Sequence, residues 1–169
     1  MKYPQKIFFV GPMGAGKSAV GRQLARMLKL DFEDSDDEIE RRTGVDIPFI
    51  FEKEGEAGFR RRERKVIEDL TKRDGLVLAT GGGVIVDPEN RKNLGSRGTN
   101  VYLIASIAQQ LERTQRGRER PMLAGGDPRE ILERLMSHRD PLYRELADIV
   151  VDTDGRRVVA VAEDIRDRL

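Results

Sequence analysis

The 169-residue sequence contains no cysteine, no tryptophan and a single histidine. Without cysteine there is no disulfide framework, no thiol nucleophile and no thiolate zinc site. An excess of one charge is also lacking. Lys and Arg number 31 against 30 Asp and Glu, a net charge of +1. A nucleic-acid binder carries a net basic footprint, so no nucleic-acid partner is expected. Long apolar runs are missing as well. The stretch 7–10 is too short for a signal-peptide core or a membrane span, and no membrane partner is expected. A cytoplasmic location follows as the expectation, and the absence of cysteine fits a reducing compartment. The length bounds one domain over 1–169, large enough to bury a core without covalent staples.

Short β-like runs alternate with helical stretches, which predicts an α/β fold with a parallel sheet and helices on both faces. Residues 6–10 read as a strand buried on both faces, because the run is continuously apolar. Val20, Leu24, Met27 and Leu28 then fall at helical spacing. Residues 30–34 predict a second strand, 36–42 a short helix, and 46–73 one or two more helices. A third strand over 76–80 runs into Gly81-Gly82-Gly83. Asp87-Pro88 opens a helix in cap-then-proline order. Further strands are predicted over 100–104 and 149–151, and further helices over 107–116, 128–139 and 158–169. Residues 117–127 hold three glycines, a proline and several charges. They predict a mobile loop with little to pack against.

Gly11-Pro12-Met13-Gly14-Ala15-Gly16-Lys17-Ser18 satisfies G-x-x-x-x-G-K-[ST] at each defined position, between a strand and a helix. Glycines let backbone N–H groups converge on a polyphosphate, and the helix N-terminus adds its dipole. Residues Gly14, Ala15, Gly16, Lys17, Ser18 and Ala19 are therefore the candidate nucleotide cradle. Lys17 is expected at the β- and γ-phosphates of ATP and Ser18 at Mg²⁺.

The acceptor is read from the carboxyl ends of the other strands, where open α/β sheets bind ligands. Strand two ends in Asp34-Ser35-Asp36. Helix capping would account for one of these residues. The chemical reading uses both carboxylates, one near Mg²⁺ and one at an attacking hydroxyl. The glycine triplet is either a plain turn or a place where a ligand approaches the backbone closely. Arg60 and Glu63 stand one helical turn apart and can pair. His138 is expected to face solvent, with no chemical role.

Taken in order and spacing, these segments resemble the shikimate kinase family. The P-loop, Asp34-Ser35-Asp36, Phe59-Arg60-Arg61, Gly81-Gly82-Gly83, Arg120-Pro121-Met122-Leu123 and Arg139-Asp140-Pro141-Leu142-Tyr143 carry the match. The resemblance implies a P-loop kinase fold with strand order 2-3-1-4-5, a substrate-binding segment near 34–62 and a lid near 114–127. It implies phosphorylation of shikimate by ATP to shikimate 3-phosphate and ADP, in aromatic amino-acid biosynthesis, by a monomer. By the same match Asp34 stands near Mg²⁺ and Asp36 at the acceptor hydroxyl. Arg60 and Arg139 grip the acceptor carboxylate beside Gly81, Gly82 and Gly83. Arg120 is the lid arginine, and Arg113 and Arg156 lie beside the adenine. Two departures stand out. Met122 occupies a position where the lid more often has leucine, and no proline follows Arg156-Arg157, which bears on Arg156.

Another small-molecule kinase, for gluconate or a nucleoside monophosphate, is the main alternative. Gluconate kinases share the acid-plus-hydroxyl logic, but the glycine triplet and paired aspartates favour shikimate. A regulatory GTPase is disfavoured because the guanine-reading Asn-Lys-x-Asp is absent.

Overall fold

The computed structural model describes residues 3–117 and 120–169. Residues 118 and 119, inside the expected lid, lie outside the described residues, as do 1 and 2.

Five parallel strands form one sheet: β1 (Lys6–Val10), β2 (Asp31–Asp34), β3 (Leu76–Ala79), β4 (Thr99–Ile104) and β5 (Ile149–Asp152). Their order is β2-β3-β1-β4-β5, as expected. Every pair is parallel, with Phe8 opposite Leu78 on one side and Asn100 on the other. Seven helices connect and flank the strands: α1 (Lys17–Leu28), α2 (Ser35–Thr43), α3 (Ile47–Leu70), α4 (Pro88–Arg97), α5 (Ile107–Arg116), α6 (Pro128–Leu146) and α7 (Val158–Arg168).

The continuous apolar run of β1 is explained by two separate cores, because successive side chains leave a strand on opposite faces. Ile7 and Phe9 join Val20 and Leu24 of α1 and Val161 and Ile165 of α7. Phe8 and Val10 face the other way, into Phe59, Val66 and Ile67 of α3, Leu94 of α4 and Tyr143 of α6. The P-loop strand is thereby clamped from both sides, and its C-terminal end is rigid where the phosphates would sit.

The stretch after residue 46, expected as one or two helices, is two helical segments joined at Gly55, whose φ of 72° no β-carbon-bearing residue adopts cheaply. Two other expectations are corrected. The helix expected to stop at 139 continues to Leu146 with Pro141 inside it. An interior proline costs about 3 kcal/mol. Burial of Tyr143 and the Tyr102–Asp140 hydrogen bond at 2.6 Å tie the extra turns to the core and offset that cost. Within 121–127 the first three residues are better packed than the composition suggests, while 124–127 are exposed. Pro121–Leu123 form a 3₁₀ turn, and all three residues are half-buried.

Among the described residues no helix is long and apolar enough to cross a membrane. His138 is exposed, as expected.

Candidate active site

Gly11 to Ser18 turn the chain from β1 into α1. Gly14 and Gly16 have φ of 80° and 92°, which a side chain would strain. They are also crowded. A Cβ at Gly16 would fall 2.7 Å from Arg113 Nη1, and one at Gly14 would fall 3.1 Å from the Gln110 backbone. Helix α5 thus lies directly on the loop and lays the Arg113 guanidinium across it. Gly16 caps α1 without a side chain, so no protein side chain competes for the first N–H groups of the helix.

Lys17 is buried, and its Nζ donates to the carbonyls of Gly11 at 2.6 Å and Pro12 at 2.8 Å. Burial pushes its ammonium down to about 7, and Arg120 adds to that, while Asp36 and Asp34 oppose it. A group in this state gains most when a polyanion arrives beside it.

Asp34 does two jobs with two oxygens. Its Oδ1 caps α2 by accepting from the N–H groups of Asp36 (2.9 Å) and Asp37 (3.2 Å). Its Oδ2 accepts from the Ser18 hydroxyl. Capping uses one oxygen of this carboxylate and leaves the other turned to Ser18, so the cap does not exclude a metal role. A hydroxyl and a carboxylate side by side are hard oxygen donors, few in number. That set suits Mg²⁺, which takes one or two protein oxygens and leaves the rest of its shell to water and phosphate.

The glycine triplet has a different reason from the P-loop glycines. None of Gly81, Gly82 and Gly83 has positive φ. Gly81 and Gly83 instead make room for charged side chains of the protein itself. A Cβ at Gly83 would sit 2.3 Å from Arg60 Nη2, and one at Gly81 would sit 2.9 Å from Asp36 Oδ1 and 3.1 Å from Glu63 Oε2. At Gly82 the neighbours are Met13 N at 3.3 Å and Arg139 Nη1 at 3.6 Å. The sequence suggested a close backbone approach; the structure shows which groups approach.

Asp36, Arg60, Gly81, Gly82, Gly83 and Arg139 line one cavity, whose walls also include Ile47, Phe51 and Phe59. Arg120, Pro121 and Met122 line it as well, and its volume is about 70 Å³. A second cavity adjoins it, lined by Gly14, Gly16, Lys17, Ser18, Ala19, Asp34, Arg113 and Arg120. Asp36 and Arg120 border both. The two cavities meet where a phosphoryl group would cross.

Two sequence candidates are placed elsewhere. The Ala15 side chain points into the core, although its backbone belongs to the loop. Arg156 binds the Asp152 carbonyl at 3.2 Å and Asp164 at 3.1 Å, and it lines neither cavity.

Glu63 was visible only as a partner for Arg60, and its place in the site was missed. Arg60 Nη1 reaches Glu63 Oε1 at 3.0 Å, and Nε and Nη2 reach Glu56. Glu63 Oε2 is buried without a hydrogen-bond partner. Burial pushes this carboxyl up to about 7 despite the pull of Arg60. Its only signal in sequence was the three-residue offset from Arg60. Met13, which lines both cavities, carried no signal at all.

The sequence model described as shikimate kinase matches residues 13–169. A shikimate kinase from Halorhodospira halophila is 57% identical over 98% of this chain and 94% of its own. A solved structure titled shikimate kinase from Acinetobacter baumannii in complex with shikimate is 50% identical. It superposes with a TM-score of 0.95 over 97% of this chain and 92% of that one. A gluconokinase from Sinorhizobium meliloti, 18% identical with a TM-score of 0.62 over 97% and 90%, shares the fold alone.

Proposed function

The chain belongs to the shikimate kinase family, and on that premise we propose how its residues divide the transfer of a phosphoryl group from ATP to a hydroxyl of shikimate. The observation that carries the reading is the junction of the two cavities at Asp36 and Arg120. One side offers a phosphate cradle, and the other offers two arginines and an apolar wall for a small ring acid.

Backbone N–H groups from Gly14 to Ala19, with Lys17 and Arg113, hold the nucleotide. Ser18 and Asp34 would hold Mg²⁺, which when bound neutralises phosphate charge. Arg60 and Arg139 take the acceptor carboxylate, since a planar guanidinium matches a carboxylate better than an ammonium does. Gly81, Gly82 and Gly83 border the same acid. The Asp36 carboxylate receives the proton of the attacking hydroxyl as the new O–P bond forms, the old one breaks and ADP leaves. The product is then shikimate 3-phosphate, a step of aromatic amino-acid biosynthesis. The protein is proposed to act as a cytoplasmic monomer on this small molecule, without nucleic-acid or membrane partners. Arg156 is not proposed for the adenine, because its Nη1 is held by Asp164 and the Asp152 carbonyl and the residue lines neither cavity.

The test is ADP release with Mg-ATP across shikimate, gluconate and AMP. Turnover should depend on shikimate and be far weaker with the others. Equal turnover with AMP would sink the substrate assignment and leave the nucleotide cradle standing.

A cavity of about 70 Å³ is well below the roughly 300–1,000 Å³ of ordinary ligand pockets. The segment carrying Arg120, Pro121 and Met122, which lines this cavity, is proposed to move out as the acceptor enters and to return to bring Arg120 to the phosphates. This lid is proposed to span about 114–127. Arg120→Ala is expected to lower kcat more than it weakens shikimate binding. Amide exchange over 120–127 should slow when both substrates bind. Full protection in the free protein would contradict the lid.

A further inference from the structure

Arg139 and Tyr143 stand four residues apart on α6, so both side chains leave the helix on one face. They are 6% and 0% exposed. The Tyr143 hydroxyl donates to the Gly82 carbonyl, and Arg139 Nη1 comes to the same glycine, 3.6 Å from where a Cβ on it would stand. A phenol has one proton to give. With it committed to Gly82, only oxygen lone pairs are left for a neighbouring cation. Arginine, tyrosine and the Gly82 peptide thus form a short polar series that meets at Gly82. Burial pushes the phenol up to about 12, so the proton stays in place across the working range.

Both ends of this series border the acceptor cavity. At one end is the guanidinium proposed to grip the acid. At the other, the Gly82 carbonyl and the Gly83 N–H share one planar trans peptide. Holding the carbonyl toward Tyr143 turns that N–H the opposite way. The ring itself is kept in register by Tyr102, with centroids 4.9 Å apart. The Tyr102 hydroxyl points elsewhere, to Asp140 Oδ1 at 2.6 Å. Two stacked, fully buried tyrosines thus direct their hydroxyls to different places, and only one of them reaches the site.

We propose that the Tyr143 hydroxyl is a positioning group for the acceptor carboxylate. It fixes the direction of the Arg139 guanidinium and of the Gly82–Gly83 peptide before the acid arrives, and so it sets acceptor affinity and not the rate of phosphoryl transfer. The proposal rests on the reading that Arg139 holds the acid. Its effect is selective because the nucleotide cavity shares neither Arg139 nor Tyr143.

The experiment uses the full chain with Tyr143→Phe, which keeps the ring and removes the oxygen. Tyr102→Phe is the control, since it removes the neighbouring buried hydroxyl without touching Arg139 or Gly82. Shikimate and ATP affinities are measured by calorimetry, with kcat at saturating substrates and thermal melting alongside. Tyr143→Phe should weaken shikimate roughly 10- to 100-fold, the range for one hydrogen bond to a charged group. ATP affinity and kcat should stay close to wild type. Tyr102→Phe should lower the melting temperature and leave shikimate affinity alone. In a cycle with Arg139→Lys, the double variant should lose less than the sum of the two single losses. Unchanged shikimate affinity in Tyr143→Phe overturns the proposal. So does equal weakening of shikimate and ATP, or of shikimate in both tyrosine variants, or a Tyr143→Phe protein that does not fold, because each assigns the hydroxyl to stability alone. A wild-type protein that fails to bind shikimate overturns the functional reading on which the proposal stands, a result distinct from these.

Discussion

Asp36→Asn is expected to lower kcat by roughly 10²–10⁴ while Mg-ATP affinity stays near normal. Asp36 is half-buried at the start of α2 and is the one carboxylate among the described residues that borders both cavities. Asparagine keeps its size and removes its charge. The substitution therefore tests proton acceptance and hydroxyl orientation together. Because phosphoryl transfer passes through a loose transition state, orientation can account for much of the loss. Asp34→Asn should behave differently. Asp34 spends one oxygen on the Ser18 hydroxyl and the other on the cap of α2. Its substitution should raise the Mg²⁺ concentration needed for turnover and cost about 1 kcal/mol of stability through the weakened cap. Steady-state kinetics of both variants over a Mg²⁺ series separates them. Wild-type kcat in Asp36→Asn, or an exchange of the two phenotypes, would show the roles misassigned.

Arg60→Ala should weaken shikimate binding by roughly 2–5 kcal/mol, the cost of losing a desolvated charge pair. ATP binding should change little, since Arg60 does not reach the nucleotide cavity. The substitution also strands Glu63, whose carboxyl burial already holds near 7. With its cation gone, the carboxyl moves further up and takes a proton at neutral pH. One positive charge is lost and only the part of the Glu63 charge that remains at neutral pH is neutralised, so the pocket loses less than one full positive charge. What disappears is the directed guanidinium–carboxylate contact, and that contact is what the affinity loss reports. Adding Glu63→Gln to Arg60→Ala should therefore cost little more. Calorimetric titration of shikimate into the three variants checks this. Unchanged affinity in Arg60→Ala removes that residue from the site.

Much of this site was legible in the sequence, for reasons that differ from residue to residue. The P-loop was readable because its constraints are local. Gly14 and Gly16 need left-handed φ, and Lys17 and Ser18 follow within one turn of the same helix. Strand β1 was readable because burial on two faces leaves a continuous apolar run. Asp34 and Asp36 were readable as a pair from the residues themselves, whereas their division of labour came only from the family resemblance, since cap and ligand roles demand the same residue type. The end of α6 was misread because Pro141 is a local signal overruled by distant packing of Tyr143 and Asp140 against β4.

The sequence by itself determined the phosphate cradle, the parallel α/β alternation and the residue types able to hold a small acid beside a polyphosphate. All of these depend on interactions spanning a few residues or on strand periodicity. Only the tertiary structure decided that Asp36, Arg60, Gly81 and Arg139 face one cavity, that Glu63 lies buried beneath it and that Arg156 faces away. It also decided what the glycine triplet is for. Gly81, Gly82 and Gly83 are not bent into conformations forbidden to other residues. Gly81 and Gly83 are small because Asp36, Glu63 and Arg60 come from α2 and α3 to fill the space a side chain would take, while Gly82 lies against the Met13 backbone. Those meetings join residues up to 60 or so positions apart, as Tyr143 and Gly82 are. No short-range pattern encodes a volume that distant side chains must share.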